Sequence, residues 1–275
     1  MKSFLTRLLS GVVLVLITVG ACWLGSWTLG FFVALIGYIG LDEYYKVFGL
    51  RIGRGLGWIG LIGATLWFVI LQMVTESAVG DGVLLDPELK WLVLPVVFLL
   101  ILGVYVFTFP KYDTGQVTAV FFGIVYIPVM LSFIYQTRML NGGLYLVWLI
   151  FFCSWGCDTF AYLSGMLLGK HKLAPELSPK KSKEGAVGGV VGAAVLGGIY
   201  AALTGAVIWV YVLICAAGAI ASQIGDLAAS AVKRQHNIKD YGNLIPGHGG
   251  ILDRFDSVIV TAPMIYILAI IIGEI

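Results

Sequence analysis

Long runs of apolar residues, broken at short intervals by glycine and by small clusters of charge, set the pattern of this chain. A helix needs roughly 20 mostly apolar residues to cross the hydrocarbon of a bilayer. Runs of that kind predict about nine spans, near residues 8–24, 27–47, 57–74, 91–109, 116–136, 143–164, 187–206, 208–232 and 257–273. The two spans between 187 and 232 are separated by almost nothing. The prediction is therefore an all-α integral membrane protein, a polytopic helical bundle. No long polar tail, low-complexity stretch or linker is left over to form a separate soluble domain. Within that bundle, residues 1–140 read as N-terminal membrane helices serving as scaffold and lipid access. Residues 141–275 read as a C-terminal catalytic region carrying two polar loops, 165–186 and 233–256.

Composition agrees: 60% of the 275 residues are hydrophobic and 12% charged, against about 25% charged in soluble domains. The net charge of +2 says little, but the placement of the bases orients the chain, because lysine and arginine collect in cytoplasmic loops. With a cytoplasmic N-terminus, all of the 17 bases except Lys90 and Arg138 fall inside. The loop after the third span is acidic, with Glu76, Asp81, Asp86 and Glu88, and the C-terminus then lies outside. Lys2 and Arg7, followed by an apolar run and Val19-Gly20-Ala21-Cys22, have the outline of a signal peptide with a lipid-attachment cysteine. The chain starts at an uncleaved Met1, so this stretch is read as the first span. The four cysteines, Cys22, Cys153, Cys157 and Cys215, all sit in predicted spans. Cys153 and Cys157 share a helix face, but no histidine or further cysteine lies nearby in sequence to complete a tetrahedral site. They read as small buried residues.

The two polar loops hold nine of the 17 bases, and each follows a span with an acid near its cytoplasmic end, Asp158 and Asp226. A carboxylate inside a span is costly unless it is paired or faces water, and so is a functional candidate. For Asp158 the plainer reading is an interfacial acid or one paired with a nearby lysine. Ser222, Asp226 and Ser230 recur every four residues and line one helix face, continuing into Lys233 and Arg234. The following segment, Lys239 to Gly250, has the make-up of a turn whose backbone N–H groups can meet an anion, although a simple glycine-rich connector explains it equally well. Asp253-Arg254-Phe255-Asp256 then places two carboxylates on one face of a starting helix. Mg²⁺ takes one or two protein carboxylates and completes its shell with water and substrate phosphates; Asp226, Asp253 and Asp256 could supply that site. A helix N-terminus also favours an acid through its dipole, which makes Asp256 the more easily spared. In the earlier loop, Gly169-Lys170-His171-Lys172 and Ser178-Pro179-Lys180-Lys181-Ser182-Lys183-Glu184-Gly185 form a basic cluster. Attraction to anionic lipid explains part of it, while its serines and lysines also suit a triphosphate.

Ser230-Ala231-Val232-Lys233-Arg234, then Lys239-Asp240, then Leu244-Ile245-Pro246-Gly247-His248-Gly249-Gly250-Ile251-Leu252-Asp253-Arg254-Phe255-Asp256 resembles the signature of the phosphatidate cytidylyltransferases, or CDP-diacylglycerol synthases. Asp158-Thr159-Phe160-Ala161-Tyr162, Gly169-Lys170, Ser178 to Gly185 and Ser222 to Leu227 are similar to the same family's other segments. The resemblance covers roughly residues 150–260. Ser182 stands where many members have threonine, and the hydroxyl is kept. The resemblance implies transfer of a cytidylyl group from CTP to phosphatidic acid, giving CDP-diacylglycerol and pyrophosphate, at the cytoplasmic face of the inner membrane. It further implies Mg²⁺, with K⁺ as a possible second metal, and a homodimer among membrane lipids. By position, Asp226 and Asp253 become the metal-binding acids with Asp256 auxiliary. Lys233 and Arg254 join the two acids as catalytic residues. Ser178, Lys180, Lys183, Ser222, Arg234, Lys239, His248, Gly249 and Gly250 become substrate-binding residues.

Two rival classes leave different marks. A CTP-dependent polyprenol or phytol kinase shares the nucleotide but must deprotonate an alcohol, and so needs a base. An ion-coupled transporter favours inverted repeats and a midplane site, whereas the two halves here show no convincing self-similarity and the acids gather towards one membrane face. No nucleic-acid partner is expected.

Overall fold

The structure, a computed structural model, describes residues 2–79, 85–247 and 249–272. Asp81, His248 and the last three residues, on which expectations above fall, lie outside the described residues. Among the described residues the apolar runs form nine helical rods. The first three are α1 (Lys2–Leu24), α2 (Ser26–Val47) and α3 (Gly57–Val79). A 3₁₀ turn (Pro87–Leu92) leads into α4 (Val93–Phe107). The next two rods each contain a π turn: α5 (Thr114–Ile124) passes through Val125–Val129 into α6 (Met130–Met139), and α7 (Gly143–Phe151) passes through Phe152–Gly156 into α8 (Cys157–Leu168). The last three are α9 (Lys183–Thr204), α10 (Ile208–Gln235) and α11 (Leu252–Ile272). The seven rods from α3 onward are long and apolar enough to cross a membrane. The chain is an α-helical, multi-pass membrane protein.

The break between the seventh and eighth expected spans is supplied by Gly205, which ends α9 with a φ of 76°, a left-handed conformation that glycine adopts without steric cost. The expected loop 165–186 is shorter than the sequence implies. Helix α8 runs on to Leu168, α9 starts at Lys183, and between them β1 (Lys172–Ala174) and β2 (Ser178–Ser182) pair as an antiparallel hairpin. This hairpin is a local exception to an otherwise helical fold. Its second strand is polar and carries a proline, so it has none of the apolar alternation by which a strand is recognised. Ser182 ends the strand and caps α9, its hydroxyl accepting the Gly185 amide at 3.1 Å. The loop 233–256 narrows in the same way, since α10 continues to Gln235 and α11 begins at Leu252.

The chain forms two compact units. The first comprises Met1–Tyr135 with Tyr241–Asp253, and the second Gln136–Asp240 with Arg254–Ile275. In the first, Tyr45 is fully buried and its hydroxyl donates to the Val120 carbonyl at 2.9 Å. The indole of Trp67 donates to Ser132 at 3.0 Å, so both large polar side chains are satisfied in the apolar interior.

In the second unit α9 packs between α8 and α10. Its glycines set the distance: a Cβ at Gly192 would collide with Phe160, and one at Gly197 with Cys215 and the Tyr211 carbonyl. Small residues let membrane helices approach closely where no hydrophobic force drives them together. The four cysteines are buried and form no disulfide. Two of them serve this packing, the Cys153 thiol donating to the Cys215 carbonyl at 3.6 Å and the Cys157 thiol to the Ala219 carbonyl at 3.9 Å.

Candidate active site

In the second unit, charged groups that belong to distant parts of the sequence come together. Asp226, near the C-terminal end of α10, forms an ion pair with Lys181 of β2. Both are partly screened from water, with side-chain exposures of 28% for the lysine and 19% for the acid. Burial pushes the Lys181 ammonium below the usual lysine value, and the nearby carboxylates of Asp158 and Asp256 pull it back up. Two turns further along α10, Lys233 is buried and lies 3.8 Å from Asp256 in the first turns of α11. Asp158 of α8 interacts electrostatically with Lys181, Asp256 and Arg254. Three acids and three bases thus share one polar region inside an otherwise apolar unit.

Three polar atoms in this unit are buried with no hydrogen-bond partner among the described residues: the Thr137 hydroxyl in α6 and, beside the charged groups, the Ser222 hydroxyl, one turn before Asp226, and the Arg254 Nε. Buried polar atoms are normally satisfied, so the two beside the charged groups are donors open to a ligand. A cavity of about 430 Å³ lies alongside, lined by Asp158, Tyr162, Met166, Lys180, Lys181 and Gln223 among others. One part of its wall is charged and another apolar.

The remaining expected residues fall into distinct surroundings. Ser178 opens β2 half-buried, Lys180 and Lys183 are exposed, and Lys239 is exposed in the loop after α10. Arg234 holds backbone: its Nε donates to the Leu177 carbonyl at 3.3 Å and its Nη1 to the Ile238 carbonyl at 3.0 Å. That fixes the hairpin tip to the end of α10.

Asp253 belongs to the first unit. Its Oδ2 accepts the amides of Tyr241 at 2.8 Å and of Gly250 at 3.0 Å. Gly249 and Gly247 have φ values of 88° and 78°, conformations that a side chain would strain, and Ile245 pairs with Gly249 across the turn at 2.8 Å. The turn is therefore built as expected, but the amides of Tyr241, Gly250, Ile251 and Leu252 all point at carboxylates.

Sequence reasoning passed over two residues. Lys181 was passed over in favour of Lys180 and Lys183, and no alternating pattern in this polar, irregular strand separates it from them. Glu43 of α2, whose carboxylate receives the amides of Ile251 and Leu252, is more than 200 residues away in sequence, and its only signal is an acid inside a span.

A helical membrane scaffold whose interior gathers acids, bases and unsatisfied donors suits group transfer between anionic substrates. Residues 5–272 match the model of the cytidylyltransferase family, and the chain belongs to that family; it is a nucleotidyltransferase. It is 32% identical over 267 residues to a phosphatidate cytidylyltransferase of Bacillus subtilis, covering 95% of this chain and 96% of that one. A Staphylococcus haemolyticus protein of the same name is 31% identical over 266 residues, covering 96% and 98%. One from Rickettsia felis is 33% identical over 235 residues, covering 80% and 92%.

Proposed function

We propose that this protein transfers the cytidylyl group of CTP to phosphatidate, releasing pyrophosphate and forming CDP-diacylglycerol at the cytoplasmic face of the bacterial inner membrane. The observation that carries the reading is the ion pair of Asp226 and Lys181, set beside Asp158, Asp256, Lys233 and Arg254 in a protein of this family. A phosphate oxygen of phosphatidate attacks the α-phosphorus of CTP, and the bond from that phosphorus to the pyrophosphate oxygen breaks. The nucleophile is already anionic near neutral pH, so no general base is required. The remaining difficulty is the repulsion between two anions, and catalysis of such a step is mainly positioning and charge neutralisation.

The donor set fits Mg²⁺. Among the described residues no three acidic, histidine or cysteine side chains form a ready-made cation cage, and Mg²⁺ characteristically takes only one or two carboxylates beside water and phosphate oxygens. Asp226, with Asp256 as an auxiliary, would hold it in the second unit, and Asp253 keeps the metal-binding role that the family resemblance gives it. When bound, the ion would neutralise charge on the triphosphate and on the departing pyrophosphate. Lys181, Lys233 and Arg254 are the cations that counter the repulsion between the two substrates. The Ser222 hydroxyl and the Arg254 Nε are the donors left for phosphate oxygens. A homodimer belongs to the same reading.

Incubating the purified protein with CTP and Mg²⁺ in the presence of either phosphatidate or a long-chain alcohol tests it. Pyrophosphate release matched by CDP-lipid is the expected result, abolished by EDTA and restored by Mg²⁺. Release of CDP with a phosphorylated alcohol would overturn it. Asp226→Ala and Asp253→Ala should each lose Mg²⁺-dependent CTP turnover while keeping their folded state.

A further inference from the structure

The first unit contains a second buried acid whose position the proposed chemistry does not explain. Glu43, near the end of α2, is 4% exposed, and its carboxylate accepts the amides of Ile251 at 3.1 Å and Leu252 at 2.8 Å. These amides stand at the N-terminus of α11, where the first N–H groups of a helix have no partner within it. A local serine, threonine, aspartate or asparagine is enough to cap a helix. An acid from a different helix does something more, because it also fixes where the N-terminus lies.

The loop is shaped around that carboxylate. A Cβ on Gly242 or on Gly250 would collide with the Glu43 side chain, so both positions bring bare backbone against it. Asp253 then closes the same loop from the other side through the amides of Tyr241 and Gly250. Gly250 is thus shared: its backbone leans on Glu43 and its amide donates to Asp253. Residues 241–247 and 249–253 fold round two carboxylates, of which only Asp253 belongs to the signature segment.

We propose that Glu43 is a positioning residue for Asp253. It pins the N-terminus of α11 and the glycine loop, and so sets the orientation of the Asp253 carboxylate. The proposal rests on the reading of Asp253 as a metal-binding acid. Glu43 itself touches neither substrate nor ion.

The test uses the full-length protein in detergent, wild type and Glu43→Gln. Glutamine keeps one acceptor oxygen but turns an NH₂ group towards the other amide, so one of the two bonds is lost. Hydrogen–deuterium exchange at Ile251 and Leu252 should become faster. The kcat for CTP turnover should fall roughly tenfold with KM for phosphatidate within about twofold. Mn²⁺ affinity, read by electron paramagnetic resonance, should weaken by roughly tenfold, the low end of the effect of removing the support of a metal ligand. Faster exchange with wild-type kcat and Mn²⁺ affinity would overturn the proposal, leaving Glu43 as a tie between helices. Unchanged exchange would overturn it as well.

Gly250→Ala, made in the wild type and in Glu43→Ala, carries the same question from the loop side. In the wild type the new methyl group meets the carboxylate and kcat should fall. In Glu43→Ala the space is open, and the same substitution should change little further. Independent, multiplying losses would refute the coupling. If the wild type itself fails to turn over CTP with phosphatidate, the proposed function falls, while the exchange and Mn²⁺ measurements still decide the role of Glu43.

Discussion

Lys181 of the hairpin's second strand is ion-paired with Asp226 of α10, joining the two basic and acidic segments that lie 45 positions apart along the chain. Lys180, its neighbour, is exposed. The hairpin pairing is irregular at these positions, and both lysines line the cavity, but only Lys181 is half-buried against an acid, so two adjacent lysines of equal charge have unequal surroundings. Lys181→Met and Lys180→Met each remove one positive charge from the same strand. The first should lower kcat/KM for CTP by roughly 100-fold and the second by less than about tenfold, since a charge half-buried beside an acid acts more strongly than an exposed one at the cavity rim. Steady-state CTP turnover decides, and equal losses would remove Lys181 from the site.

The Ser182 hydroxyl serves the N-terminus of α9 by accepting the Gly185 amide. Replacing a capping serine with alanine costs about 1 kcal/mol. Ser182→Ala should therefore lower the unfolding free energy by about that amount, measured by denaturant titration in detergent. It should also loosen the hairpin that ends on this residue.

Arg234 ties the hairpin to the end of α10 through two carbonyls, those of Leu177 and Ile238. Removing hydrogen bonds from a charged group costs about 1.5–3 kcal/mol each in sheltered settings, and less here because the side chain is exposed. The expected effect of Arg234→Ala is faster tryptic cleavage at the hairpin lysines, seen on a digestion time course. An unchanged time course would mean that other contacts hold the hairpin.

Gly192 faces the Phe160 ring with no room for a Cβ. Overpacking a well-filled interior typically costs about 1–3 kcal/mol. Gly192→Leu should shift α9 away from α8 and lower the thermal midpoint of the purified protein. The paired change Gly192→Ala with Phe160→Ala should recover most of that loss.

Seven of the nine expected spans, those from α3 onward, were legible because membrane hydrocarbon imposes one requirement, a long apolar run, which a sequence shows directly. The acids Asp226, Asp253 and Asp256 and the base Lys233 were legible for a related reason, since charge near buried helices stands out against an apolar background. The hairpin was not, because Ser178–Ser182 is a polar strand held by pairing and by Arg234, and neither leaves an alternating pattern. Glu43 was hidden for another reason. Its role depends on backbone amides contributed by a segment some two hundred residues later, and amides have no letter in the sequence. The same applies to the glycine loop: its composition predicted free N–H groups, while the fold turns four of them towards Glu43 and Asp253.

The π turn at Phe152–Gly156, which joins α7 to α8, holds one more residue per turn than a plain helix would. Each residue advances a helix by about 100°, so this single extra position decides which way everything after it faces. Asp158 lies two residues beyond the turn and lines the cavity with Lys181. A chain lacking one residue here would still look like a membrane span by its hydropathy, and would insert as one. Its Asp158 would be swung about a quarter-turn around the rod, away from the lysine, so the helix acts as an index that one deletion can set wrong without breaking it.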